Sequence, residues 1–472
     1  MSRPKASPPT TDLIAVLPGI MGSTLGRATK DKLAKANLVW APTTGAAIHA
    51  ARNFLGHAPQ LILPDGIGDN PAVDGVEPIG LMPDLHVIPG LWTPIRGYAT
   101  LINFLNRLGY HHQPTTRPPN LLLVPYDWRL SNRYNGHRLA GVVEPALDRW
   151  RAQGGRYQDA QVVFICHSMG GLVARWYIEK CGGAEHTRKF ITLGTPWRGA
   201  AVALDKLCNG VAVKIGPINK LNLDAFARSL PSLYQLLPEY ACIQSGQNYI
   251  KITETVLPVL DTTRVADGMS FHTSLQEAER QRPASRLVTH MLIGARQPTT
   301  TTFKISNGVV APSETFGTVN EFGDGTVPLS GAVGHDQPPN SNLIKRVVDQ
   351  HGNLQCNAAN CDEIQEIITA TTVRRRADQP YGLRVTLPDL IAHGEALPVI
   401  AKFDGDYWAG LTITVKNEAG HTVRARQPRI VNGEAHAEFT DLPPAGYTIT
   451  VDGTHFGGPV SPVTACALVW IR

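Results

Sequence analysis

The stretch VVFICHSMGGLVARW, Val162 to Trp176, carries an apolar, β-branched run into Cys-His-Ser-Met-Gly-Gly and then into apolar residues at helical spacing. Val162 to Cys166 reads as a buried strand, and Leu172, Val173, Trp176 and Tyr177 mark one face of the helix that follows. A hydroxyl at so sharp a reversal is poorly placed for packing and well placed for attack. Small neighbours are needed because such a turn crowds the backbone. The usual pattern is G-x-S-x-G; here it is Cys166-His167-Ser168-Met169-Gly170, with cysteine in place of the first glycine. Ser168 is the candidate nucleophile. The plain alternative is a serine that only caps the helix.

Working outward, similar short apolar runs predict strands at Leu13–Leu17, Leu121–Val124, Phe190–Leu193, Leu287–Ile293 and, more weakly, Leu343–Val348. Helical faces lie between some of them: Tyr98, Leu101, Ile102, Leu105 and Leu108 form one, and Leu139, Val142, Val143, Ala146, Leu147 and Trp150 another. Strands alternating with helices imply a parallel sheet covered on both faces, an α/β domain over residues 1–372. Residues 26–95, rich in Gly, Pro and Asp, are expected to form an irregular insertion. Residues 200–285 are helical in pattern and form either a cap over a site or an extension of the core. After a helix at Asp362–Thr371 comes a basic linker, residues 373–380, and the composition then changes. LTITVKNEAGHTVRAR predicts a hairpin turning at Asn417–Gly420, so residues 381–472 form a small all-β sandwich domain. Its stretch Ala437–Gly453 resembles the closing strands of prealbumin-like and Cna-B-type modules, which bind or space; a protein partner is expected there.

The chain has 472 residues with 43 % hydrophobic content, enough for a large core, and 44 Lys plus Arg against 39 Asp plus Glu. A formal charge of +5 is too small to argue for nucleic acid. The apolar run at Leu13–Leu17 is too short for a signal peptide, and no segment is long and apolar enough to span a bilayer. Seven cysteines at 166, 181, 208, 242, 356, 361 and 466 form no evident disulfide framework. These features lead us to expect a cytoplasmic location, with leaderless export also compatible. Cys356 and Cys361 near His351 lack the second pair a metal site would need, so neither metal nor cofactor is expected.

A serine needs a base and an oxyanion site. LPGIMGS, Leu17 to Ser23, follows the first strand, and its turn could aim the N–H of Ile20 at the site; the alternative is an ordinary Pro-Gly turn. GDGTVP, Gly323 to Pro328, sets Asp324 between glycines after the fifth strand, either as a carboxylate that orients a histidine or as a common Asp-Gly turn. His335 and His351 follow it. His335 stands too close behind Asp324 for the next strand-end loop, and His351 is the choice. Trp197 and Arg198, past another strand end, line a substrate pocket or its rim. Asp127 and Arg129 are read as a buried pair that supports the fold.

PGIMGS, PYDWR (Pro125 to Arg129), HSMGG, GTPWRGA (Gly194 to Ala200), PSLYQLLP and GDGTVP occur in the order found in the lecithin:cholesterol acyltransferase family, which this chain resembles over roughly residues 12–370. The resemblance implies an α/β-hydrolase fold with a helical cap. It implies a serine lipase or phospholipase that cleaves lipid acyl esters through an acyl-serine, or an acyltransferase that passes the acyl group to an alcohol. By that likeness Ser168 is nucleophile, Asp324 acid and His351 base, with the amides of Ile20 and Met169 as oxyanion donors. A non-catalytic lipid-binding scaffold is the contrasting reading. Arg374–Arg376 could add transient contact with an anionic membrane surface.

Overall fold

The computed structural model describes residues 10–370 and 382–470, except 28–36, 42–50, 52–53, 66–68, 71–73, 89, 115–117, 216–218, 284–286, 307–308, 336, 339, 404–407 and 456–457. All the strands expected for the first domain form, and they make one six-stranded sheet. Its spatial order is Ile344–Val348, Val288–Ala295, Thr187–Leu193, Val162–His167, Leu13–Leu17 and Leu121–Leu123, with every neighbouring pair parallel.

Period-two geometry explains how these continuous apolar runs are used. Leu13, Ala15 and Leu17, with Val162, Phe164 and Cys166, enter one core, whereas Ile14, Val16, Val163 and Ile165 enter the other. The first core takes Leu139, Val143, Leu147 and Trp150 from helix Asn132–Arg151, and Leu172 and Val173 from helix Gly170–Lys180. The second takes Leu101, Phe104 and Leu105 from helix Ala99–Arg107, and Ile364, Ile367 and Ile368 from helix Ala358–Thr369. A parallel sheet sandwiched between helices, with a strand-to-helix turn at its centre, is the α/β-hydrolase architecture.

The two insertions are more regular than expected. Within 26–95, strands Asn37–Trp40 and Val76–Leu81 flank Ser23–Arg27 in a three-stranded antiparallel sheet. Residues 200–285 are not purely helical. Besides helices Ala201–Asn209, Asp224–Ser229, Pro231–Tyr234 and Thr262–Gln281, they hold antiparallel pairs Ala212–Ile215 with Asn219–Asn222, and Ile243–Ser245 with Asn248–Ile250. Such short strands draw their stability from neighbours rather than from their own alternation; Ile243–Ser245, for example, also pairs with Thr302–Ser306.

Residues beyond 382 form two mainly antiparallel sheets around a separate apolar core that includes Leu383, Val399, Ile413, Val415, Ile449 and Val463. The hairpin joins Trp408–Asn417 to Thr422–Arg426, closed by Gly420 N–H donating to the Asn417 carbonyl. Linker 373–380, with Arg374–Arg376, lies outside the described residues.

Candidate active site

Because the strands run parallel, their C-terminal ends gather at one edge, and the connections leaving that edge can converge. Five of them do. The Val162–His167 strand ends on Ser168, whose φ of +53° is left-handed, a rare and strained conformation for a residue with a side chain. The turn is held by Ser168 N–H donating to the Leu193 carbonyl at 2.9 Å and by the Thr195 hydroxyl donating to the Ser168 carbonyl at 2.9 Å. Glycine is required at 170, where a Cβ would stand 2.3 Å from the Pro18 carbonyl oxygen, and at 19, where it would stand 2.8 Å from Ser168 Cβ.

His351 opens a 3₁₀ turn after the Ile344–Val348 strand, and its backbone N–H donates to the Asp324 carbonyl at 2.8 Å. Its Nδ1 lies 2.8 Å from Asp324 Oδ2, and its Nε2 lies 2.8 Å from Ser168 Oγ. A carboxylate oxygen only accepts, so Nδ1 carries the hydrogen and Nε2 presents its lone pair to the serine hydroxyl. The other Asp324 oxygen accepts from the N–H groups of Thr326, at 3.0 Å, and Val327, at 2.7 Å. That fixes the carboxylate plane. Ser168, His351 and Asp324 are 0 %, 1 % and 2 % exposed, so all three side chains are covered by the chain around them.

The Ile20 and Met169 amides belong to the two turns that meet at Gly19 and Ser168. Gly19 N–H donates to Tyr98 Oη at 2.7 Å and Gly22 N–H to the Gly19 carbonyl at 3.0 Å, while no hydrogen bond among the described residues occupies the N–H of Ile20 or Met169. Met21, at φ +62°, and the Trp40 indole, which donates to the Met21 carbonyl at 2.6 Å, hold this turn.

Behind these groups lies a network that sequence reasoning missed. Tyr98 Oη lies 2.9 Å from His167 Nδ1, and His167 Nε2 lies 3.1 Å from the His351 carbonyl. The carbonyl can only accept, so Nε2–H donates to it. Nδ1 then accepts from the Tyr98 hydroxyl, and Tyr98 Oη accepts from Gly19. Burial, reinforced by the neighbouring His351 ring, holds His167 well below the usual histidine range and keeps it neutral. One chain of hydrogen bonds thus links the three turns that carry Ile20, Ser168 and His351. Its sequence signal was the position of His167 beside Ser168; Tyr98 had shown only as part of an apolar helix face.

Trp197 and Arg198 do not come to the serine through any contact the structure gives them. The Trp197 ring, 3 % exposed, packs on Phe190 and under the Arg175 guanidinium, and its indole N–H donates to Thr192 Oγ1. Arg198 pairs with Glu239 at 3.1 Å and lies over Tyr240. His335 also bonds Glu239, away from Asp324. Arg129 is fully buried between Asp127, at 2.7 Å, and Asp74, at 2.6 Å, in an ion-paired knot of the fold. Among the described residues no group of three or more His, Cys, Asp or Glu side chains is placed to hold a metal.

Residues 92–276 match the family model described as lecithin:cholesterol acyltransferase. The chain is 27 % identical over 247 residues to a human protein named lysosomal phospholipase A and acyltransferase, covering 50 % of this chain and 56 % of the relative. It is 25 % identical over 278 residues to a mouse phosphatidylcholine-sterol acyltransferase, covering 56 % and 57 %. The chain therefore spans a little over half the length of the curated relatives it matches. Among solved structures, mature Bacillus licheniformis lipase BlEst2 aligns over 78 % of this chain and 94 % of that one, at 14 % identity and a TM-score of 0.36. The family match takes in PYDWR, HSMGG, GTPWRGA and PSLYQLLP. PGIMGS, Asp324 and His351 lie outside it, and the fold brings them to Ser168.

Proposed function

We propose that this chain is a serine esterase that cleaves lipid acyl esters through an acyl-serine intermediate, with Ser168 as nucleophile, His351 as base and Asp324 as orienting acid. The observation that carries the reading is the line of two 2.8 Å hydrogen bonds from Asp324 through His351 to Ser168 Oγ. His351 Nε2 takes the hydroxyl proton as Oγ attacks the ester carbonyl carbon. Negative charge then develops on the carbonyl oxygen, where the N–H groups of Ile20 and Met169 receive it; each such donor contributes about 3 kcal/mol in other acyl-transfer sites. Collapse breaks the bond to the alcohol, which leaves with the proton from His351, and Asp324 stabilises the imidazolium in between. A second hydroxyl compound, activated by the same histidine, releases the acyl group.

Water as that acceptor gives a phospholipase A-like hydrolase, and a lipid alcohol gives an acyltransferase. The near-zero exposure of the three side chains favours keeping transfer in view, because a site that excludes water lets another alcohol compete. The name of the human relative, lysosomal phospholipase A and acyltransferase, pairs the two activities and supports the same choice. The test is purified protein on short-chain nitrophenyl esters and on mixed phospholipids, with and without a lipid alcohol, followed by lipid mass spectrometry. Activity should vanish in Ser168→Ala. Turnover unchanged in that variant contradicts the mechanism, and a wild type inert on every ester favours a lipid-binding scaffold.

The proposal includes a cytoplasmic location, supported by seven cysteines that are all free thiols. Fractionation of expressing cells tests it. Among the described residues no helix is long and apolar enough to cross a membrane. Transient surface contact through Arg374–Arg376 would be weak, at about 1 kcal/mol per charge, and should disappear at high salt in a liposome-binding assay.

A further inference from the structure

The C-terminal sandwich touches the first domain at a telling place. Gln297, fully buried, sits beside the acid loop: its N–H donates to the Gly323 carbonyl at 2.9 Å, and its carbonyl accepts from Gly323 N–H at 3.1 Å. Its side-chain amide turns the other way and behaves like a strand partner for the sandwich. Nε2 donates to the Leu383 carbonyl at 2.9 Å, and Oε1 accepts from Val385 N–H at 3.1 Å. Gln350, next to His351, donates from Nε2 to the Val385 carbonyl at 3.0 Å.

Asp349 makes the third attachment. It is fully buried, two positions before His351, and both its oxygens are filled by neutral donors. Oδ1 accepts from Gln350 N–H at 2.9 Å and from Thr464 N–H of the last sandwich strand at 3.0 Å. Oδ2 accepts from the side-chain amides of Asn353 and Asn357, the latter at 2.7 Å. These donors lie on both sides of the turn that carries His351. A buried carboxylate with no cation paired to it among the described residues is a costly way to join two domains, since apolar residues would do it better. What four convergent donors do achieve is one defined geometry. Binding or spacing, the roles expected of such a module, explains none of these contacts.

We propose that the sandwich is part of the catalytic machinery, holding the Asp324 and His351 loops in register with Ser168 through Gln297, Gln350 and Asp349, with Asp349 as the principal positioning residue. This rests on the esterase reading given above. Displacing a reacting group by about 1 Å can cost a hundredfold in rate, so loosening the His351 turn should slow chemistry and leave substrate affinity nearly alone.

The experiment uses the full chain. Asp349→Asn puts an amide donor against the existing donors. Thr464→Pro removes the sandwich N–H that Asp349 accepts and puts a ring in its place. For each variant and the wild type, kcat and KM on nitrophenyl butyrate are measured, together with the rate at which a fluorophosphonate probe labels Ser168 and the melting temperature. We expect kcat and labelling rate to fall roughly ten- to a hundredfold with KM changed less than about threefold, and the double variant to be little worse than the worse single one. Folded variants with wild-type kcat and labelling overturn the proposal, as does a raised KM at unchanged kcat. If Asp349→Asn does not fold, Thr464→Pro and Gln350→Leu, which keep the carboxylate, decide in the same way. A wild type that labels at Ser168 yet hydrolyses no ester removes the esterase reading alone, and the labelling ratios still judge the positioning; a wild type that neither labels nor hydrolyses removes both.

Discussion

Tyr98 Oη stands between two buried groups, the Gly19 N–H and His167 Nδ1, and satisfies both. Removing only the oxygen leaves a donor and an acceptor without partners, each at a cost of about 1–3 kcal/mol. Tyr98→Phe should therefore destabilise the protein by about 2 kcal/mol or more in denaturant titrations. Its kcat should also drop, because the Gly19 turn carries the Ile20 amide. A neutral effect on both would show that the network is ornamental to the site. Arg129 presents the charged version of this argument. Arg129→Met keeps much of the volume but strands Asp127 and Asp74, and should cost about 3–5 kcal/mol, read from the same titration.

Between the strand that ends at His167 and the helix that begins at Gly170, only two residues make the reversal. The tightness has a measurable consequence. Gly170→Ala drives a methyl group into the Pro18 carbonyl at 2.3 Å, so we expect a loss of about 1–3 kcal/mol and a lower kcat as the two oxyanion turns separate. Thermal melts and ester kinetics check it. This element was legible in the sequence because strand, turn and helix follow one another directly and each has its own period. So were the central strands of the sheet, whose burial on both faces leaves unbroken apolar runs, while the edge strand Ile344–Val348, half-buried and carrying Lys345 and Arg346, gives a weaker signal. His351 was reachable through chain order alone. The strands inside 200–285 were not, since segments such as Ile243–Ser245 and Asn248–Ile250 are too short to display alternation. Nor could Asp349 be singled out, because its donors come from Asn353, Asn357 and the distant Thr464, and only tertiary structure assembles them.

Across the whole molecule, buried histidines set a pH response. Burial holds His86, His272 and His290 down to about 4, and holds His167 well below its ordinary value. The unfolded chain protonates these rings near pH 6.5 and the native one does not, so the stability present above that value is lost as pH falls from about 6.5 toward 4. Asp349 opposes this. Burial pushes its carboxyl up to about 6 and those of Glu179 and Asp389 up to about 7, so the native state takes up these protons before the unfolded one and gains stability over the same fall. Four rings and three carboxyls therefore pull in opposite directions, and removing a ring tells them apart. His290→Gln, which takes one ring away, should hold its melting temperature relative to the wild type better at pH 5 than at pH 7; an unchanged difference between the two proteins at both values would contradict the assignment of a neutral ring.

The covered site and the sandwich that braces it serve one claim, that Ser168 becomes covalently acylated. Acid-quenched wild-type protein, sampled during turnover of nitrophenyl butyrate and digested for peptide mass spectrometry, tests this most directly. We expect a butyryl group on the peptide bearing Ser168, at the serine itself and absent from Ser168→Ala. Sustained turnover with no acyl group on that serine, or an undiminished rate in Ser168→Ala, would contradict it.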